Sequence, residues 1–285
     1  MFQPLPKTRG NEAERSGSAR SSLPQEVLQR SLWEQPFYVL DCEATGLDYR
    51  RREPCEIAIA RFVGGREEES RVWRVKTSEA ISPQASALHH ITNADLEHAP
   101  LPHQVASEIR QFLGTQGVVP WVGYMSVIDA GFLGSFARRY GFADLEACFS
   151  AENSLCTKTL GKMLNPDVND FGDNILQFCA ACGVTAIPDA HHTAAGDVIM
   201  TARLFEKMLH DVSERGIKTV GELLDLQHEV LQTPFGIPSR GAEFSESNKL
   251  ALEKWMGIVD AQSIKEELAL RELGIGPDRL YQYKS

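Results

Sequence analysis

Apolar positions recur along this chain with two different spacings, and the change from one to the other sets out its elements. In "FYVLDCE", Phe37 to Glu43, four apolar or aromatic residues run straight into two carboxylates, which predicts a core strand. "CEIAIARFVG", Cys55 to Gly64, places Ile57 and Ile59 on one face of a second strand, and "RVWRVKT", Arg71 to Thr77, supplies a third. Gly64 and Gly65 mark the turn between them, so antiparallel hairpins are expected in place of an immediate βαβ unit. No glycine-rich dinucleotide fingerprint follows the first strand, which disfavours a simple Rossmann fold.

The spacing then becomes helical. "LPHQVASEIRQFLG" sets Val105, Ile109, Phe112 and Leu113 on one stripe. "GVVPWVGY" reads as another strand, with Pro120 at an edge, bulge or terminus. It leads into "SVIDAGFLGSFARRYG", where Phe132, Leu133 and Phe136 can attach a helix to the sheet. Residues 147–164 can hold a short strand and a helix. Asp173 is a plausible cap and Gly183 a stop for "NILQFCAACG". A last helix carries Val198, Ala202, Phe205 and Leu209 on one face and closes the main domain near His210. The expected fold class is a mixed α/β domain.

Outside that domain the pattern weakens. Residues 1–32 contain little apolar material and are expected to form a mobile leader, although "EVLQRSLW" can make a short helix against the domain. Residues 211–285 are expected to form a helical extension that packs on the domain or engages a protein partner. Its helices fall in "TVGELLDLQHEVL", "ESNKLALEKWMGIVD" and "SIKEELALRELG", with Ser263 and Glu266 fitting a capping box.

Composition narrows the class. At 285 residues, with 42% apolar and 24% charged residues, the chain can bury a full core. No 18-residue uncharged apolar run and no signal-peptide core is present, so a cytoplasmic protein without a membrane partner is expected. The six cysteines do not form the close pairs of a four-cysteine zinc site, and Cys179 and Cys182 fit a buried apolar helix face. A net charge of −10 argues against a sequence-independent nucleic-acid scaffold, though less against an enzyme that grips a few nucleotides through metal ions.

Candidate chemistry lies at the element ends. Asp41 and Glu43, two apart on a strand, project from one face and repel one another unless a cation or proton intervenes. Asp129 begins the helix after the fourth strand, and Asp197 lies in the first turn of the late helix. Each alone could be a helix-terminal acid. Together they form a set of hard oxygen ligands suited to magnesium or manganese. His192, five residues before Asp197, can approach the same helix and, as a neutral imidazole, accept a proton from attacking water.

At these residues the sequence resembles the DEDDh branch of 3'-5' exonucleases, which includes the proofreading subunit of bacterial DNA polymerase III. The resemblance rests on "DCEATGL", on "WVGYMSVIDAGFL" with Asp129, and on "HTAAGD" with His192 and Asp197. It extends over about residues 36–210, and "HHITNADL" resembles the connector after the third strand. It implies a ribonuclease-H-like sheet flanked by helices. It also implies two Mg2+ or Mn2+ ions held by Asp41, Glu43, Asp129 and Asp197, one orienting water against the terminal phosphorus and one stabilising the leaving 3'-oxygen. His192 is implied as general base because it has the family spacing to Asp197, with the adjacent His191 as the less favoured alternative. Thr45, Gly46 and Leu47 are implied to line the terminal nucleotide, and Tyr124 can stack or hydrogen-bond near it.

The second block departs from the family pattern. Tyr124 and Met125 stand where many members have a His-Asn pair, and Ile128 where many have Phe. The function implied is release of nucleoside 5'-monophosphates from a nucleic acid with a free 3' end, single-stranded DNA first. Two alternatives stay open: a noncatalytic interaction protein with this fold, and a small-nucleotide phosphodiesterase.

Overall fold

The computed structural model describes residues 21–114, 118–165 and 174–231. In chain order its elements are α1 (Gln25–Leu28), β1 (Phe37–Ala44), β2 (Pro54–Val63), β3 (Arg66–Arg74), α2 (Pro83–His89), α3 (Pro102–Leu113) and β4 (Trp121–Gly123). They continue with α4 (Ser126–Arg139), α5 (Ala143–Cys148), β5 (Ser154–Cys156), α6 (Thr157–Leu164), α7 (Ile175–Ala181), α8 (Ala194–Glu214) and α9 (Val220–Leu231).

The five strands form one sheet in the order β3-β2-β1-β4-β5. The first three are antiparallel, from Phe37 opposite Phe62 to Glu43 opposite Glu56, whereas β4 and β5 run parallel to β1. Strand β1 is central and covered on both faces, which accounts for its unbroken apolar run. Phe37 and Val39 face a layer that contains α6, α7, α8 and α9, while Tyr38 and Leu40 face α3, α4 and α5. The alternation of a strand then carries Asp41 and Glu43 to the α8 side and Cys42 to the α4 side. This is the mixed sheet of a ribonuclease-H-like fold.

Strand β3 begins at Arg66, five residues before the apolar pattern suggests. Its first half, "REEES", has no apolar face because it is an exposed sheet edge. Pairing comes instead from the turn: Val63 opposes Arg66, and both intervening glycines have positive φ, 58° at Gly64 and 76° at Gly65. Charges along such an edge also discourage pairing with another chain.

Other departures are local. Asn174 caps α7, its side chain accepting from the amides of Leu176 and Gln177, and Asp173 lies outside the described residues. Residues 21–32, assigned to the leader from their polarity, are packed where they are described. Leu23, Leu28 and Leu32 are buried in the core, and buried Asn153 accepts from the Ser22 amide and the Ser21 hydroxyl. Three leucines are enough to hold a short polar segment to a core face.

The late helix passes His210 and ends at Glu214, and α9 packs beside α1, α6 and β5. Thr219 and Glu222 form a reciprocal capping box at its start. Gln227, fully buried, accepts from the Cys156 amide at 2.7 Å and donates to the Ser154 carbonyl at 2.9 Å. That side chain takes the place of a neighbouring strand at the β5 edge. The two later expected helices and the Ser263–Glu266 box lie outside the described residues. Among the described residues no helix is long and apolar enough to cross a membrane.

Candidate active site

The catalytic candidates assemble where β1 ends. Pairing of β1 with β4 stops at Val39, whereas pairing with β2 continues to Ala44 past a register shift between Glu43 and Ala44, so the sheet opens on the β4 side beside the two acids. Helix α8 enters from one side with Thr193 as its cap, the hydroxyl accepting from the Gly196 amide. Asp197 in its first turn then meets the strand: single carboxylate oxygens of Asp41, Glu43 and Asp197 all lie within 4.8 Å of one another. Three residues separated by up to 156 positions of sequence thus form one oxygen-rich pocket.

Asp129 reaches the same strand end from the opposite layer. It is buried in the first turn of α4, and the Cys42 thiol donates to its Oδ1 at 3.6 Å. Gly123 leaves room for this approach: a Cβ there would stand 3.1 Å from Asp129 Oδ2, and the carboxylate would have to shift by a few tenths of an ångström.

The electrostatics are those of a cation site. Burial, and then repulsion from Asp129, Asp197 and Glu43, holds the Asp41 carboxyl well above the usual range. Glu43 is pushed up to about 8 by burial and by Asp197 and Glu56, and burial lifts Asp129 to about 7. Asp197 is raised by burial against a lowering contribution from His191. A buried acid cluster of this kind suits a divalent ion of hard character, and the donor set fits Mg2+ or Mn2+.

Both histidines stand at the rim. His191 Nδ1 lies 3.1 Å from Asp197 Oδ1, while the His192 ring stacks on that of His191 with centroids 3.6 Å apart. His192 adopts φ 62°, a left-handed conformation uncommon outside glycine. Desolvation, with the neighbouring histidines, lowers its pKa to about 4, leaving a neutral ring at physiological pH.

The substrate candidates divide. Leu47 projects from the loop after β1 and is 43% exposed, open to a ligand. Thr45 is fully buried; its hydroxyl donates to Glu79 and accepts from the Glu53 amide, closing the loop on whose turn Gly46 sits. Tyr124 is buried in the core with its ring edge-to-face against Phe178, 5.6 Å between centroids. The structure does not present that ring as a stacking platform.

Two further residues support the site, and of these Glu56 escaped sequence reasoning. Glu56, buried opposite Glu43, accepts from the Ala194 amide at the start of α8 and pairs with Arg74 at 3.0 Å. The signal was there, a charged residue on the Ala58 and Ala60 face of an apolar strand. His89 is also buried: its Nδ1 accepts from the Ile91 amide, so its Nε2 donates to the Ala44 carbonyl at 3.1 Å and fixes the end of β1.

Comparison with known proteins decides the family. The RNase T exonuclease family matches residues 38–205, a span that contains all five catalytic candidates. The chain belongs to this exonuclease family. It is 27% identical over 192 residues to DNA polymerase III subunit epsilon of Aquifex aeolicus, covering 67% of this chain and 89% of that one. It is 26% identical over 207 residues to a PolC-type DNA polymerase III of Staphylococcus aureus, 73% of this chain but 13% of the polymerase.

Among solved structures, E. coli exonuclease I in complex with a dT13 oligonucleotide aligns with a TM-score of 0.50 at 19% identity, over 61% of this chain and 40% of that one. A moderately thermophilic exonuclease I from Methylocaldum szegediense gives 0.50 at 19%, over 63% and 43%. These structures share the fold, and this exonuclease-family chain spans less than half of their length. Its motif set is of the DEDDh type, and its fold is that of metal-dependent 3'-5' exonucleases.

Proposed function

We propose that this exonuclease-family chain removes nucleoside 5'-monophosphates from the 3' end of a nucleic acid, with single-stranded DNA as its preferred substrate. The convergence of Asp41, Glu43 and Asp197 within 4.8 Å carries the reading. These three would hold one Mg2+ or Mn2+ ion, and Asp129, across the strand end, would support a second together with Asp41. Divalent ions bound there supply charge neutralisation for the phosphate and activation of water.

The remaining steps belong to the chain. His192, neutral at working pH, accepts the proton of attacking water at a ring nitrogen. His191 holds Asp197 in orientation through its Nδ1. Leu47 supplies an apolar contact to the terminal base, and the anchored loop from Thr45 fixes where that contact is made. The complex of exonuclease I with dT13 supports single-stranded DNA as the first substrate to examine.

The test uses 3'-labelled and 5'-labelled single strands with and without Mn2+ or Mg2+. Stepwise shortening from the 3' end is expected, lost in Asp41→Asn and Asp197→Asn. Metal-independent or internal cleavage would reject the mechanism, and cleavage of mononucleotide esters alone would make the chain a small-nucleotide phosphodiesterase.

A further inference from the structure

The histidine doublet gives Asp197 a second set of neighbours. One nitrogen from His191, one from His192 and one Asp197 oxygen all lie within 4.8 Å of one another. Adjacent side chains in an extended chain point to opposite sides. Here the left-handed backbone of His192 turns both rings the same way, stacked with 25° between their planes, and His191 already meets Asp197 at 3.1 Å. The turn is held from behind: the Ala190 carbonyl accepts from the Thr193 hydroxyl, and Gly196 has no Cβ to collide with that carbonyl.

This donor set differs in kind from the carboxylate pocket. Two imidazoles and one carboxylate suit Zn2+, whereas all-oxygen sets suit Mg2+ and Mn2+. Ligand atoms around tetrahedral zinc sit about 3.3 Å apart, given metal–ligand distances of about 2.0 Å. The three ligand atoms already lie within 4.8 Å of one another, and turning the two half-buried rings out of their stacked arrangement aims both in-plane lone pairs at one ion. We propose that His191, His192 and Asp197 form a zinc-binding site that shares Asp197 with the catalytic carboxylates and so switches the site off. Zinc there displaces the proton held between His191 and Asp197, withdraws one oxygen ligand from the Asp41–Glu43 pair and occupies the ring proposed as base. The inhibitory half rests on the proposed exonuclease activity; the binding half does not.

The experiment measures Zn2+ binding to the metal-stripped full chain by calorimetry in the presence of excess Mg2+. One zinc per chain is expected. Affinity should fall at least about tenfold in His191→Gln and in His192→Asn, the asparagine chosen because it tolerates the left-handed backbone. Asp41→Asn and Glu43→Gln should lower zinc affinity less than either histidine change does. In the wild-type chain, the imidazole nitrogen resonances of His191 and His192 should shift with Zn2+ and not with Mg2+. Unmoved imidazole resonances, or zinc affinity lost in Asp41→Asn but kept in His191→Gln, would overturn the site. In a parallel assay at fixed Mn2+, zinc should suppress 3'-end shortening; shortening unaffected at saturating zinc would overturn the switch. A chain that binds zinc through these rings but shortens no strand in any metal would refute the exonuclease reading and leave the site standing.

Discussion

Oε1 of Glu56 accepts a hydrogen bond from the backbone N–H of Ala194 across 3.1 Å, joining the second strand to the first residue of α8. The bond places Asp197, one turn further on, against Asp41 and Glu43. Glu56→Ala leaves that buried amide without its acceptor and is expected to cost about 1–3 kcal/mol. Glu56→Gln keeps an acceptor, loses the charge that pairs with Arg74, and should cost less. Chemical denaturation checks the order; equal stability of Glu56→Ala and wild type would show that other contacts seat the helix.

Metal removal should make stability depend on pH in an unusual direction. Glu43 has a folded-state pKa of about 8 against an ordinary 4.5, so its carboxyl is more easily protonated in the folded chain than in the unfolded one. Stability is then fully present below about pH 4.5 and is lost as pH rises through 8. Asp41, Asp129 and Asp197 shift in the same direction. The melting temperature of metal-stripped protein should fall between pH 5 and pH 8, and added Mn2+ should raise it more at pH 8. A flat profile would mean that the acids do not repel one another as their burial implies.

Gly196 sets the spacing between the histidine turn and the helix. A methyl group there would overlap the Ala190 carbonyl oxygen. Gly196→Ala is therefore expected to displace His191 and His192 from Asp197, lowering Mn2+ affinity and exonuclease rate together by at least about tenfold. Calorimetric Mn2+ titration beside the strand-shortening assay checks this. Unchanged values in both would show that the turn can yield without moving the site.

Much of this architecture was legible because the relevant signals are local. The apolar run of Phe37–Leu40, the stripe of Val105, Ile109 and Leu113, and the face of Val198, Ala202 and Phe205 each record burial within one element. The ordered acids Asp41, Glu43, Asp129 and Asp197 could be read as a set because each lies near an element end and because their motifs resemble those of the exonuclease family. What stayed hidden depends on neighbours distant in sequence. "REEES" becomes a strand through its turn and partner, and Glu56 gains its role from Ala194, 138 residues away. Tyr124 reads as able to contact a nucleotide or to fill the core, because it stands where many family members have His; in the structure Phe178, from another element, packs against its ring. His191 is less favoured on spacing, although its ring is the one that meets Asp197.

Gln227 marks where the folding unit extends beyond the catalytic motifs. Both ends of its amide bind the backbone of β5, so the β5 edge of the sheet is completed by a residue of α9. Gln227→Ala leaves the half-buried Cys156 amide and the buried Ser154 carbonyl without these partners and should cost about 1–3 kcal/mol. Ending the chain after Glu214 should cost more, because Val220, Leu223 and Leu224 leave the core as well. Denaturation midpoints of the two variants measure both effects. If the chain ending at Glu214 matched the full chain in stability, α9 would be an appendage; the buried amide of Gln227 argues that it is part of the domain.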